Sequence, residues 1–347
     1  MPNRIVGLDI SARRLLAVEV QGADGKHPVL TRAHAVALPE GAARDSEVLD
    51  VPLVSQSLKQ LWREGGFRSK RVVLGVGNQR VLVRDHTVPV MPLAQLRQAL
   101  PYQVAELLPV PVNETLLDFY PLSEVPDSEP PQMHGLLVAA IKESIETNVN
   151  TIEDAGLRVV GVDLSPFAIV RALDHAGGLA GGRTVAMIGD QTTFIIVVAD
   201  GIPQFVRIVP AGGDTLTEAA AQATGLGDEQ ALALKRQIGL ERGTDPLYTA
   251  VTDAMLGALR SIVGSIRSTN SYYLGNHPGA LVQDVIVLGS ETRVPGFVRA
   301  LGELVGLPTS IGDPLSEVAL SDDIDAGRFA DFETDLAVPL GLALGNR

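Results

Sequence analysis

The stretch VGLDISARRLLAVEV holds the first residues able to do chemistry: Asp9 closes an apolar strand, a short turn follows, and a second apolar strand begins. A carboxylate at a strand end can hold Mg²⁺ through water, and a turn that presents backbone N–H groups can cradle a phosphate. Three more turns of this kind punctuate strand ends, at Ile188-Gly189-Asp190, at Gly212-Gly213 and at Leu288-Gly289-Ser290. Singly each reads as an ordinary turn; their order along the chain is what points to a nucleotide. Yet Arg13 and Arg14 stand where glycine and hydroxyl residues would be expected. A guanidinium is a good phosphate partner, but it needs more room than a tight turn provides, and one of two adjacent strand-end residues must face away. The arginine pair therefore reads as solvated surface.

Other chemistries find little support. The six histidines show no metal-binding spacing, there is no G-x-S-x-G elbow, and cysteine is absent, which removes thiolate metal sites, thiol nucleophiles and disulfides. The carboxylates of DDIDAGRFADFETD, from Asp322 to Asp335, are too clustered to act as acid and base and read as a solvated acidic loop. Basic residues number 28 against 41 acidic, a net charge of −13, which argues against nucleic acid and against unaided adhesion to anionic lipid. No apolar run approaches the roughly 18 residues of a spanning helix, so membrane contact is expected only through a partner.

The elements that must position these turns repeat. Residues 6–38 form a three-strand meander, with a turn at Ala23-Asp24-Gly25, and TVAMIGDQTTFIIVVADGIPQFVRIV from Thr184 repeats it. Setting Asp9 opposite Met187 superposes the two units, about half a chain apart. An α/β chain of two duplicated lobes follows. Between the meanders, PLAQLRQALPYQVAELLPVPV spaces Leu93, Leu96, Leu100, Val104, Leu107 and Leu108 along one helix face, interrupted by Pro101. That stripe is either subdomain core or a docking face. In the second half, Thr215 and Glu218 read as a capping box and Pro246 opens a long helix to about Leu274.

These segments, with ALPYQVAELLPVPVNETLLDF, DAGLRVVGVDLSPFAIVRAL, PAGGDTLTEA, SIRSTNSYY, VLGSETRVPGF and the closing LAVPLGLAL, give the whole chain a resemblance to PilM-like type IV pilus assembly proteins, actin-like relatives of FtsA. The resemblance implies an actin-like, ribonuclease H-like duplicated fold with an inserted 1C-type subdomain. Its expected divisions are 1–87 for the first actin-like subdomain, 88–161 for the insert, 162–182 for a return helix and hinge, and 183–347 for the second lobe with a C-terminal segment returning toward the first. It also implies ATP between the lobes. PilM-like proteins usually carry Gly and Ser after the first Asp and a Lys on the next strand, where this chain has Ser11, Ala12, Arg13 and Leu16. Met187 stands where an Asp is usual, and Asp190, three residues on, points to the opposite face of a continuing strand. Leu232 replaces a ribose-contacting Glu, whereas the nearby Lys235 is kept. What remains of the cleft is Asp9, Ser11, Arg13, Gly189, Gly212, Gly213, Lys235, Gly289 and Ser290, with Asp9 the candidate for Mg²⁺ through water.

The resemblance implies a cytoplasmic scaffold that binds the cytosolic N-terminal tail of a PilN-like inner-membrane protein, links it to the pilus motor ATPases, and has at most very weak ATPase activity. The tail is expected in a groove between the first subdomain and the insert, with Tyr102, Leu108, Val110 and Val112 as contacts. The rival readings are an ATP-binding switch of the same complex and a small-molecule kinase of the actin/hexokinase superfamily.

Overall fold

The computed structural model describes residues 3–345 except 24, 26, 176, 242, 244, 317, 323 and 325, and the side chains of 93, 326 and 328. Along the chain run β1 (Arg4–Ile10), β2 (Arg14–Gln21), β3 (Val29–Ala37), the short pair β4 (Ala43–Arg44) and β5 (Glu47–Val48), α1 (Val51–Gly65) and β6 (Arg71–Val76). An inserted unit follows, made of β7 (Val81–Pro89), α2 (Leu93–Val104), β8 (Thr115–Val125) and β9 (Gln132–Ile141). Then come α3 (Lys142–Asp154), β10 (Arg158–Leu164) and α4 (Ser165–Leu173). The second lobe holds β11 (Gly182–Ile188), β12 (Thr193–Ala199), β13 (Ile202–Val209), α5 (Gly213–Thr224), α6 (Asp228–Ile238), α7 (Pro246–Asn276), β14 (Val285–Leu288), α8 (Phe297–Val305) and β15 (Thr309–Ile311). The chain returns through β16 (Ala319–Leu320) and α9 (Ala337–Leu344).

Duplication is written in the sheets. The first sheet runs β10-β6-β1-β2-β3-β16 and the second β13-β12-β11-β14-β15, the same order once read from the meander's last strand and leaving aside β16. Asp9 faces Leu16 across the first hairpin and Met187 faces Phe194 across the second, so the expected superposition holds residue for residue through both hairpins. Continuous apolar runs such as TFIIVVA make strands buried on both faces, as a sheet covered by helices on each side requires. Helix α1 buries Val54, Leu58 and Leu61; the Asp50 side chain accepts from Leu53 N–H at its start, and Gly66 in the left-handed region ends it.

The inserted sheet has the order β7-β9-β8 and begins at Val81, while β10 completes the first sheet beside β6. On this small sheet Leu96, Leu100 and Val104 of α2 pack against Phe119 and Leu137 and are buried. For these three residues the stripe is core; the side chain of Leu93 lies outside the described residues. At α5 the capping box is replaced by another start. Gly212 is the N-cap, no side chain caps the helix, and Thr215 already sits inside the first turn, because the Gly-Gly pair turns the chain into the helix earlier than Thr215.

Candidate functional site

The two hairpin turns meet face to face between the lobes. Asp9 is half-buried one residue before the end of β1, and the turn beyond is held by Ser11, whose N–H donates to Arg14 O at 2.9 Å and whose Oγ accepts from Arg14 N–H at 3.2 Å. Opposite, Gly189 N–H donates to Thr192 O at 3.0 Å. Ser11 Oγ donates across the gap to Asp190 Oδ2 at 3.4 Å, and Thr192 Oγ1 donates to Asp45 Oδ1 at 2.7 Å. The cavity left between them, with Asp9, Ser11, Met187, Asp190 and Phe194 on its walls, measures about 60 Å³. Sites for small ligands run to roughly 300–1,000 Å³. Asp190 thus does enter the cleft, a correction to the strand-face argument: β11 ends at Ile188, and a residue in the turn beyond it is free of strand alternation.

The groups that should cradle a phosphate are spent on the protein itself. At the start of α5, Gly213 N–H donates to Gly189 O at 2.9 Å and Asp214 N–H to Asp190 O at 2.8 Å. A Cβ on Gly212 would lie 2.4 Å from Gly189 O, and one on Gly213 would lie 2.2 Å from Glu291 Oε1. Gly212 lets two backbones touch, and Gly213 leaves room for the Glu291 side chain. Lys235 is buried, with Nζ 2.8 Å from Glu291 Oε1 and 2.9 Å from Gly213 O. Such a pair joins three segments and leaves no amine for a nucleotide. Gly289 has φ +100°, where a Cβ would sit 2.1 Å from Ile188 O, and its carbonyl accepts from Thr292 Oγ1 at 2.8 Å and Thr334 Oγ1 at 3.1 Å. Ser290 starts a short 3₁₀ turn beside it.

Both arginines are taken up in ion pairs: Arg14 is half-buried in one, which overturns the solvated reading there, while Arg13 reaches across the cleft and stays exposed. Arg13 Nη2 lies 2.6 Å from Asp214 Oδ1, with its Nε at 3.2 Å. Arg14 Nη2 lies 2.8 Å from Asp335 Oδ1, while Asp335 Oδ2 lies 3.5 Å from Arg293 of the second lobe. Arg13 sits in the turn, ahead of the first β2 residue, so alternation does not send either side chain outward. Asp335, taken as part of a solvated acidic loop, is 2% exposed because it is the buried carboxylate between two guanidinium groups; Asp323 and Asp325 of that loop lie outside the described residues. Burial raises the Asp9 pKa to about 6, Arg14 pulling it down and Asp335 and Asp190 pushing it up. With little space and with the amides and the lysine committed within the protein, the residues present do not fit a nucleotide and its Mg²⁺. Among the described residues no cluster of three or more His, Cys, Asp or Glu could hold a metal.

On the inserted unit Tyr102 is 88% exposed, while Leu108, Val110 and Val112 are half-buried at and after the end of α2, with Val112 opening a 3₁₀ turn. None of these four lines the cleft. A separate cavity of about 300 Å³ lies where the insert, α4, the end of α9 and the β12–β13 turn of the second lobe meet, and there Tyr120 of β8 and Phe167 of α4 bring their rings within 4.9 Å.

The family model described as "Type IV pilus assembly protein PilM" matches residues 7–347. The chain belongs to the PilM family. A solved PilM-PilN type IV pilus biogenesis complex is 26% identical, with a TM-score of 0.85 over 98% of this chain and 97% of that one. Cell division protein FtsA of Bacillus subtilis (strain 168) is 20% identical over 226 residues, covering 58% of this chain and 51% of FtsA. The PilM-family chain therefore spans about half the length of the curated relatives it matches. MreB5 of Spiroplasma citri bound to ADP shares the fold, with a TM-score of 0.54 at 12% identity over 90% of this chain and 92% of that one. Among the described residues no helix of this PilM-family chain is long and apolar enough to cross a membrane.

Sequence reasoning missed the carboxylates that answer the arginines, Asp214 and Asp335, and the Glu291 that takes Lys235. Asp214 did carry a signal, standing directly after a Gly pair at a helix start. Glu291 and Asp335 lie far from their partners in the chain and carried none.

Proposed function

We propose that this chain is a scaffold of type IV pilus assembly that binds the N-terminal tail of a PilN-like inner-membrane protein and works without a nucleotide cycle. The observation that carries the reading is the match, over 98% of the chain, to a solved PilM-PilN complex. The small cleft, whose amides and lysine are bonded within the protein, favours a scaffold over an ATP-driven switch. The protein then works at the inner face of the membrane, held there by its partner. For the tail we retain the segment from Leu108 to Val112 with Tyr102 beside it. Pro109 and Pro111 keep this segment out of a regular sheet, and the exposed Tyr102 ring offers an apolar face with a polar tip. A short extended tail would bury a modest interface there.

The test pairs binding of a synthetic tail peptide with thermal unfolding. Tyr102→Ala and Val110→Asp should each weaken the peptide by about tenfold or more while leaving the unfolding temperature nearly unchanged. Normal binding by both variants places the tail elsewhere, with the Tyr120–Phe167 seam the next surface to probe.

A further inference from the structure

A groove of about 780 Å³ lies between the inserted unit and the second lobe, away from the cleft and from the tail segment. Its walls are consecutive residues, 81–85 of β7 and 205–208 of β13, with Ser268, Thr269 and Tyr272 of α7 as the floor. Neighbouring side chains of a strand point to opposite faces, so a run of successive residues lining one cavity means that the strand turns its edge toward it. Both strands are indeed sheet edges, β7 of the three-stranded sheet and β13 of the five-stranded one. Among the described residues no backbone hydrogen bond joins them, so two rows of peptide N–H and C=O groups face the groove without a strand partner. Proteins normally cover or blunt such edges.

Its side chains are selective. Val83 and the Phe205–Tyr272 pair, whose rings are 5.2 Å apart, supply apolar surface. Arg84 and Arg207 are exposed and make no ion pair among the described residues, Arg207 donating only to Ser268 Oγ at 2.9 Å. The one carboxylate on the walls, Asp85, approaches His134 Nε2 at 4.0 Å and makes no ion pair with either arginine among the described residues. In a chain of net charge −13, a groove bearing two uncompensated guanidinium groups favours an anionic occupant.

We propose that this groove receives an acidic, extended segment of a partner protein as an added β-strand, its backbone pairing with the free edge of β7 or β13 and its carboxylates meeting Arg84 and Arg207. Strand addition of this kind draws affinity from main-chain hydrogen bonds and selectivity from alternate side chains. The site is distinct from the tail contacts proposed above and stands or falls without them.

The probe is a fluorescein-labelled peptide alternating Glu and Val, with its Lys and Val counterpart as control, followed by fluorescence anisotropy against the full chain. The acidic peptide should bind and the basic one should not. The double variant Arg84→Glu/Arg207→Glu should reverse that preference, with the acidic peptide weakened about tenfold or more, consistent with the loss of two charge-assisted contacts. Hydrogen exchange should slow at β7 and β13 when the acidic peptide is present. Because both arginines are exposed, the variant should keep wild-type unfolding and tail-peptide binding, which separates a lost site from a lost fold. Equal binding of the two peptides, no binding at all, unchanged binding by the double variant, or protection at other strands would overturn the proposal. Self-association that the double variant abolishes would give the groove to a second copy of the chain and overturn it as well.

Discussion

Asp9 binds its proton more tightly in the folded protein than in an unfolded chain, and this fixes the sign of its effect on stability. Burial raises its pKa from 3.8 to about 6. The stabilising contribution of the bound proton is therefore complete below the unfolded value and is lost as pH rises through about 6. Above that, the charged carboxylate is a cost on the order of 1–3 kcal/mol. Asp9→Asn should accordingly stabilise the protein by that amount at pH 8 and hardly at all at pH 4, in urea unfolding at the two pH values. Equal effects at both would show that the carboxylate is solvated. The same residue explains what was legible at this scale: Asp9 and Asp190 could be picked out at the ends of apolar strands, whereas the approach of Asp190 and Asp335 to Asp9 could not, because that proximity is created by the fold.

At the scale of elements, the helix α9 shows how closely backbone packs between α4 and the first sheet. Its sequence AVPLGLAL is apolar all round and every residue is buried, as expected of a helix enclosed on all sides. A Cβ on Gly341 would fall 1.8 Å from Ala168 O of α4, and one on Gly7 of β1 would fall 1.9 Å from Pro339 O of α9. Backbone cannot step aside as a side-chain tip can. Gly341→Val should cost more than about 3 kcal/mol or abolish folding, as overpacking against backbone does. Gly257→Ala, in α7 with nothing within 4 Å of the added methyl, should instead stabilise by roughly 0.5–1 kcal/mol. Denaturation midpoints of the two variants check the contrast, and a mild Gly341→Val would mean that α9 sits further from α4. The closing LAVPLGLAL was legible as an apolar segment, but not as the wedge on which the first sheet rests. Likewise the helix stripe of α2 was legible as an apolar face, while only the inserted sheet beneath it decided that Leu96, Leu100 and Val104 are core.

Across the whole molecule, the two lobes are joined where a nucleotide would otherwise join them. Arg13 reaches Asp214, and Arg14 with Arg293 encloses Asp335, so fixed cations and carboxylates occupy the gap between hairpins. Titration calorimetry with Mg-ATP should give no saturable heat for the wild-type chain. Arg13→Ala/Arg14→Ala should loosen the closure, seen as faster hydrogen exchange in both hairpin turns and a loss of roughly 2–4 kcal/mol, most of it from leaving buried Asp335 with a single weak partner. ATP binding should not appear in that variant, since the α5 amides and Lys235 remain committed. Micromolar ATP affinity of the wild type that vanishes in Asp9→Ala would overturn this account and restore the nucleotide switch.

The sequence by itself determined what is periodic or local: the repeated strand pattern that makes two similar lobes, the correspondence of Asp9 with Met187 between them, and the long helix after Pro246. Those features depend on residues close together in the chain, where alternation, turn chemistry and helix spacing act directly. Only the tertiary structure decided what the substitutions do. Arg14 and Asp335, or Lys235 and Glu291, are distant in sequence; the first pair meets where the last segment of the chain returns to the first sheet, the second where two segments of the second lobe pack together. Whether an arginine at a turn is solvated or buried in an ion pair depends on what the opposing lobe presents, and no local pattern of residues carries that information.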